Sequence, residues 1–256
     1  MSAAAAHGVA LAQPSDLREE LDRGTGWAVV KGFTVSGPLE EVSRRFEHFS
    51  HQFGPVSRHG QSGTTIWKIT PRQDIEHLPT FSETASEAPL HTDNSWAPHP
   101  EKYMALLVVR PADKGGDSIV FSVDEALETF GRSLVGRRAI CLMRQLNYPF
   151  ATPDVFETNM SKRAVTIAPI IDPSRGFRFR YDVIQAGFEL LPRLATAEAL
   201  WAVEVFNHFL NSWVERKANK IHLETGDILI SNNHRALHAR TPFTDCSRLL
   251  LRARMA

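Results

Sequence analysis

The stretch His91-Thr92-Asp93 constrains this chain more than any other. In an extended strand, side chains two apart point to the same side, so the imidazole of His91 and the carboxylate of Asp93 can grip one cation together. Two protein ligands rarely hold a transition metal, so the pair asks for a third. A distant stretch, Asn232-Asn233-His234-Arg235-Ala236-Leu237-His238-Ala239-Arg240, offers one among its histidines. A fold that serves both stretches must bring opposite halves of the chain together. Two histidines and one carboxylate on one face of a metal leave the opposite positions open, the arrangement of non-heme Fe(II) and oxygen chemistry. By itself His-x-Asp arises often by chance, and the rest of the chain has to carry the reading.

A chain of 256 residues is ordinary for one all-β sandwich or barrel with helices attached. At 43% hydrophobic and 23% charged it has the composition of a globular protein with a sizeable core. Lys plus Arg equals Asp plus Glu, so no global field recruits nucleic acid or an acidic membrane. The two cysteines, Cys141 and Cys246, form no Cys-x-x-Cys pair and no disulfide framework, which reads as reduced thiols in the cytoplasm. Residues 1–13 lack a basic start before a long apolar run, so no signal peptide is expected. No apolar stretch approaches the ~20 residues needed to span a bilayer.

Acidic residues near the start of 15–23 suit a short helix, Gly24-Thr25-Gly26 breaks it, and 27–33 reads as a strand. After Gly37-Pro38, Leu39, Val42, Phe46, Phe49 and Phe53 make one apolar helical face, on which His48 and His51 are edge or solvated residues. Residues 64–69 and 103–109 read as strands. Between them 71–89 is polar and Pro-bounded, a loop long enough to be a lid, and it leads directly into Leu90-His91-Thr92-Asp93. Residues 118–121 read as a strand, Ser122-Val123-Asp124-Glu125 fits a capping box, and a helix is expected over 124–134. From 137 to 182 short apolar runs alternate with turn residues, which predicts further strands at 163–171 and 176–181. The clearest helix spans 196–217 with Leu200, Val203, Phe206, Leu210 and Trp213 or Val214 as its stripe; Trp201 and Trp213 read as packing residues. Residues 221–223, a Thr225-Gly226-Asp227 turn and 228–231 read as a hairpin, and 249–252 as the last strand. No repeat, linker or low-complexity tract divides the chain. We read 1–256 as one domain, with 1–14 flexible and 71–90 as the lid.

The order of these features resembles the taurine dioxygenase and clavaminate synthase-like group of Fe(II)/2-oxoglutarate dioxygenases. Leu90-His91-Thr92-Asp93 looks like the group's first metal strand. Asn94-Ser95-Trp96-Ala97-Pro98-His99-Pro100 with Tyr103-Met104-Ala105-Leu106-Leu107 resembles the loop and strand next in order in clavaminate synthase-like members. Gly115-Gly116-Asp117-Ser118 resembles the Gly-Gly-Asp-Thr of taurine dioxygenase-like members. Gly226-Asp227 and then Asn233 to Arg240 resemble the strand and turn of the distal histidine, and Arg248-Leu249-Leu250-Leu251-Arg252 the arginine-bearing last strand. The resemblance implies a mainly β fold with flanking helices, a distorted double-stranded β-helix of jelly-roll, cupin type. It makes His91, Asp93 and His238 the iron ligands. Were the second stretch helical, His234 would compete for that role; the Gly226-Asp227 turn argues for a strand and leaves it to His238. A carboxylate and two neutral imidazoles leave Fe(II) with a net positive charge that an anionic cosubstrate can offset.

The resemblance also implies two cosubstrates, 2-oxoglutarate and O2. The far carboxylate of 2-oxoglutarate suits an arginine, which stays charged and bonds it twice. Arg248, ten residues past His238, has the group's spacing and takes that carboxylate, with the Ser118 hydroxyl beside it where relatives carry Thr. Two readings of Arg252 stand: it reaches the carboxylate nearer the metal, or it is a sheet-edge arginine paired with Asp or Glu. Halogenating relatives replace the metal-binding carboxylate by a small residue, so Asp93 makes hydroxylation, with release of succinate and CO2, the expected outcome. Asn94, Ser95 and Trp96 are candidate pocket residues. Arg178-Phe179-Arg180-Tyr181-Asp182 resembles a charged stretch of amino-acid hydroxylases, with Arg180 for a substrate carboxylate and Asp182 for its ammonium; an outward strand face is the competing reading. Glu83 and Thr84 in the lid are candidates of the same kind, and His99, between two prolines, reads as a shaped loop residue. The expected partner is a small polar molecule, an amino acid or related metabolite; the oligomeric state stays open, a homodimer included. Two alternatives are a metal-holding jelly roll without catalysis and a zinc hydrolase on the same three ligands. Both leave Arg248 without a role.

Overall fold

The computed structural model describes residues 8–10, 14–59, 63–72, 80–156, 163–217 and 220–256. Its strands are β1 (Gly8–Ala10), β2 (Trp27–Lys31), β3 (Trp67–Ile69), β4 (Ala88–His91), β5 (Tyr103–Arg110), β6 (Ser118–Ser122), β7 (Tyr148–Ala151), β8 (Val165–Ala168), β9 (Ile171–Asp172), β10 (Gly176–Phe177), β11 (Lys220–Ile221), β12 (Ile228–Asn232), β13 (Ala236–Arg240) and β14 (Leu249–Met255). The helices are α1 (Pro14–Arg23), α2 (Leu39–His51), α3 (Val123–Phe130), α4 (Leu134–Gln145), α5 (Tyr181–Leu190) and α6 (Ala197–Lys217). Strands β1-β2-β12-β5-β14-β3 form one sheet and β11-β6-β13-β4 a second, while β7/β8 and β9/β10 are two-stranded. Among the described residues every strand pairing is antiparallel except β1 with β2.

Period-two alternation assigns each sheet two faces, and both are apolar. Tyr103, Ala105, Leu107, Ile228, Ile230 and Leu251 of the larger sheet pack with Leu17, Leu21, Val42 and Phe46 of α1 and α2. The residues between them, Val108, Leu229 and Leu250, share a cluster with Val120 and Ala236 of the smaller sheet. On the far side of that sheet Ile119, Phe121, Leu237 and Ala239 pack with Ala126, Met143, Ile184 and Phe206 from α3 to α6. The order is therefore helices, sheet, sheet, helices. This explains why 103–109 reads as an unbroken apolar run: a strand buried on both faces has no polar side to show.

Several local expectations need correction. Residues 137–145, read as part of a region of strands, belong to α4 (Leu134–Gln145), and α5 begins at Tyr181, where the strand expected over 176–181 would end. In α4, Ala139 and Met143 are buried on one face while Arg137 and Arg144 are exposed, and this interleaving breaks the apolar pattern into strand-like pieces. Its start is set by Ser133, whose hydroxyl accepts the Gly136 N–H at 2.9 Å. The capping box at 122–125 does not form: α3 begins at Val123 and Ser122 makes no side-chain cap bond. Nor do 221–223 and 228–231 form a hairpin, because β11 pairs with β6 whereas β12 pairs with β2 and β5. The turn between them carries the chain from one sheet to the other. Gly226 is required there, since its φ is +86° and a Cβ would lie 2.6 Å from the Phe33 carbonyl oxygen. Of the expected lid, 80–90 is described and holds a short 3-10 turn, Phe81–Glu83, before β4; residues 73–79 lie outside the described residues. Residues 1–7 and 11–13 of the segment read as flexible also lie outside them.

Candidate metal centre

His91 ends β4, and its cross-strand neighbour in β13 is His238. Leu237 and Ala239 are committed to the helix-covered face, so His238 and Arg240 point between the sheets. The two imidazole centroids are 4.3 Å apart. Asp93 stands two residues beyond the end of β4, in a turn rather than in the strand itself. Its Oδ1 is 3.6 Å from Nε2 of His91 and 3.6 Å from Nε2 of His238. One ligating atom from each residue falls within 4.8 Å of the others, the group among the described residues that can share one ion. Two metal–ligand bonds of about 2.1 Å span such gaps, so the donor set fits a first-row divalent metal. His234 is elsewhere, its Nε2 3.1 Å from the Pro100 carbonyl oxygen.

The surroundings prepare these donors. His91 Nδ1 donates to the Pro89 carbonyl at 2.8 Å, which leaves the lone pair on Nε2 facing Asp93. Burial and then the neighbouring His238 push the His91 ring down to about 4, so it is neutral. Burial alone would raise the Asp93 carboxyl, but the Arg252 guanidinium and the two imidazoles hold it well below the usual carboxylate range. Arg252 Nη1 lies 3.1 Å from Asp93 Oδ2. Its strand runs between β5 and β3, so this is an interior arginine paired with the candidate metal-binding carboxylate, not one at a sheet edge. Asn233 locks the ligand turn: its Oδ1 accepts the Asp93 N–H at 2.7 Å, and its Nδ2 donates to the carbonyls of Asp93 at 2.9 Å and Glu101 at 3.1 Å. Asn94 takes a left-handed φ of 54°, which asparagine tolerates, and its Nδ2 donates to Glu101 at 2.9 Å.

Two cavities meet at this centre. The larger, about 500 Å³, is lined by His91, Asp93, Asn94, Trp96, Arg180 and Arg252 among others. The smaller, about 60 Å³, lies between the sheets and is lined by His91, Ser118, His238, Arg240, Arg248 and Arg252 among others. Arg248 is buried over the Phe243 ring, 5.0 Å from its centroid, and its one side-chain hydrogen bond among the described residues is a 3.4 Å donation to the Gly116 carbonyl. Burial and then Arg240 push it down to about 10, a buried cation with no ion-paired carboxylate among the described residues. Gly116 admits it, for a Cβ there would lie 3.1 Å from Arg248 Nε.

The expected substrate residues divide. Trp96 stacks on Phe156 at 5.2 Å in the cavity wall, and Arg180 lies over the rings of Phe81 and Trp96, 4.5 Å and 5.3 Å from their centroids. Asp182 does not line the cavity. It is the second residue of α5 and accepts from Arg180 through bonds of 2.8, 2.9 and 3.2 Å, so the two expected substrate groups are engaged with each other. Glu83 likewise finds its partners within the protein. It is buried outside the lining, accepts from the N–H and hydroxyl of Thr80 at 3.1 and 3.0 Å, and pairs with Arg72 at 3.3 Å. Thr84 contributes its carbonyl to Arg240. Sequence reasoning assigned no role to Arg240, Asn233, Glu101 or Arg254. For Arg240 the signal was available, because it stands two residues past His238 and shares its face.

The chain matches the family described as taurine catabolism dioxygenase TauD, TfdA family over residues 2–254. Comparison with curated proteins finds no match. Among solved structures it is similar to the non-heme iron oxygenase OrfP in complex with Fe and alpha-ketoglutaric acid, with a TM-score of 0.69 at 18% identity over 95% of this chain and 79% of that one. It is similar to asparagine oxygenase in complex with Fe(II), 2S,3S-3-hydroxyasparagine and succinate, with a TM-score of 0.71 at 17% identity over 94% and 78%. OrfP with Fe, succinate and (3S)-hydroxy-L-arginine gives 0.68 at 20% identity over 95% and 79%. At these identities the structural likeness speaks for the fold, and the family match over nearly the whole chain speaks for the chemistry. With a two-histidine, one-carboxylate centre between two cavities, the chain belongs to the taurine catabolism dioxygenase TauD, TfdA family and is a 2-oxoglutarate-dependent non-heme iron dioxygenase.

Proposed function

We propose that the protein hydroxylates an unactivated C–H bond of a small amino acid or a close relative, with release of succinate and CO2. The observation that carries this is the position of the His91/Asp93/His238 group at the junction of the two cavities. In this reading the paired sheets are the core of a distorted double-stranded β-helix of jelly-roll type, and 1–256 is one domain. His91, Asp93 and His238 hold Fe(II), which with bound 2-oxoglutarate and O2 supplies the oxidising chemistry. Arg248, beside the Ser118 hydroxyl, binds the far carboxylate of 2-oxoglutarate in the small cavity. Arg252 holds the Asp93 carboxylate in its charged, ligating form. The substrate occupies the larger cavity against Trp96, with Asn94 and Arg180 within its reach, and the structures of amino-acid oxygenases similar in fold support an amino acid there. The enclosing walls keep water from the reacting carbon. Free thiols at Cys141 and Cys246 suit a reducing cytoplasm.

The test is anaerobic addition of Fe(II) and 2-oxoglutarate, followed by screening amino acids for substrate-dependent succinate in air. A weak visible charge-transfer band and succinate release are expected from the wild type, and both are lost in Asp93→Ala. Full hydroxylation by Asp93→Ala would reject the ligand set. A protein that forms no band and releases no succinate would be the metal-holding or zinc protein instead.

A further inference from the structure

Arg240 sits on the same face of β13 as His238 and lines the small cavity, yet its guanidinium is turned to a different part of the chain. Nη1 donates to the Phe81 carbonyl at 3.0 Å, and Nη2 donates to the carbonyls of Thr84, at 2.9 Å, and Ser86. Three carbonyls of one short segment thus converge on one cation. That segment is a wall of both cavities: Phe81 and Ser82 line the larger and the smaller alike. Phe81 also packs on His91, 5.6 Å between ring centroids, and carries Arg180 over its face.

The electrostatics leave Arg240 dependent on something else. Its Nε is buried and without a hydrogen bond, and among the described residues it has no ion-paired carboxylate. It stands near Arg248, the Phe243 ring lying 5.0 Å from each guanidinium. Two desolvated cations in one compartment repel, and a dicarboxylate between them relieves both.

We propose that Arg240 is a positioning residue that couples the cavities, fastening residues 81–86 as the substrate wall more firmly once a dicarboxylate occupies the small cavity. The inference rests on the reading of that cavity as the 2-oxoglutarate site. Its consequence is that dicarboxylate binding in the small cavity and substrate binding in the larger one reinforce each other through this segment. By linkage, a substrate resting on this wall tightens 2-oxoglutarate by the same factor.

The experiment is hydrogen–deuterium exchange of residues 80–88 in the wild type, Arg240→Lys and Arg240→Gln. Each is measured as the apo protein and as the anaerobic Fe(II) protein with 2-oxoglutarate, with the visible band recorded in parallel. Losing hydrogen bonds to a charged donor corresponds to roughly tenfold or more in local opening. We expect 2-oxoglutarate to slow exchange of this segment in the wild type. In both variants the apo segment exchanges faster by about that factor, and 2-oxoglutarate no longer slows it although the band still forms. Arg240→Lys keeps the cation but not the three-way reach, so it carries the test should Arg240→Gln not fold. Wild-type exchange in this segment that ignores 2-oxoglutarate while the band forms would overturn the proposal, as would variants that respond like the wild type. A wild type that forms no band defeats the cosubstrate assignment instead, and the coupling proposed here goes with it.

Discussion

At the scale of single residues, the candidate metal centre is held by groups that are not themselves ligands. Asn233 makes three hydrogen bonds, two to the Asp93 backbone and one to Glu101. Asn233→Ala leaves buried polar groups unpaired, so it should cost about 1–3 kcal/mol in denaturant unfolding and weaken Fe(II) binding in a metal titration. Arg248→Lys keeps a charge but loses the fork, and the KM for 2-oxoglutarate should rise about tenfold or more while the substrate KM moves less. His59 gives the acid behaviour. Stacked on Trp67 at 3.7 Å, it is pushed down to about 3 by burial and then by Arg252 and Arg254. A histidine with a folded value below its unfolded one stays neutral in the fold while the unfolded chain takes up the proton. Stability is therefore full above about pH 6.5 and falls as the pH drops toward the folded value, by at most about 1.4 kcal/mol per unit. Urea unfolding at pH 7 and pH 5 should show a smaller acid loss in His59→Phe than in the wild type.

At the scale of elements, β13 decides where the chemistry goes. Leu237 is fully buried against the helices, and its neighbour His238 faces the other way. Leu237→Ala should cost about 2–5 kcal/mol by calorimetry and loosen the strand that carries His238, so Fe(II) affinity falls with it. Spacing alone makes part of the site legible in the sequence: strand spacing pairs His91 with Asp93 and Arg248 with Arg252, although Asp93 lies in the turn after β4 and Arg248 just ahead of β14. His238 and Arg240, both within β13, share a face by alternation, yet the sequence reading assigns Arg240 no role. Legibility ends where side chains find partners outside their own element. For Glu83 a local signal does exist, since Thr80-Phe81-Ser82-Glu83 has the spacing of a capping box, but its ion pair with Arg72 lies outside that turn. The start of α5 at Tyr181 was out of reach too, hidden behind residues that alternate like a strand. The pairing of β11 with β6 was likewise out of reach, since a turn signal such as Thr225-Gly226-Asp227 states that the chain reverses but not which sheet it enters.

At the scale of the whole molecule, Lys plus Arg balances Asp plus Glu and the sequence pI is about 7.2. With little net charge to oppose association, solubility should be lowest near neutral pH and improve on either side, which a turbidity series across pH would show. Among the described residues no helix is long and apolar enough to cross a membrane. The larger sheet also sets a timetable for folding. Its fifth strand, β14, runs from Leu249 to Met255 and lies between β5 and β3, so the sheet closes only after synthesis has passed every other strand in it. Until then β5 has an open edge and the apolar stripe of α2 lacks Leu251, Ala253 and Met255 beneath it. A nascent chain stalled before Leu249 is thus a client for chaperones rather than a partly working enzyme. Truncation just ahead of this one strand should abolish the folded state outright.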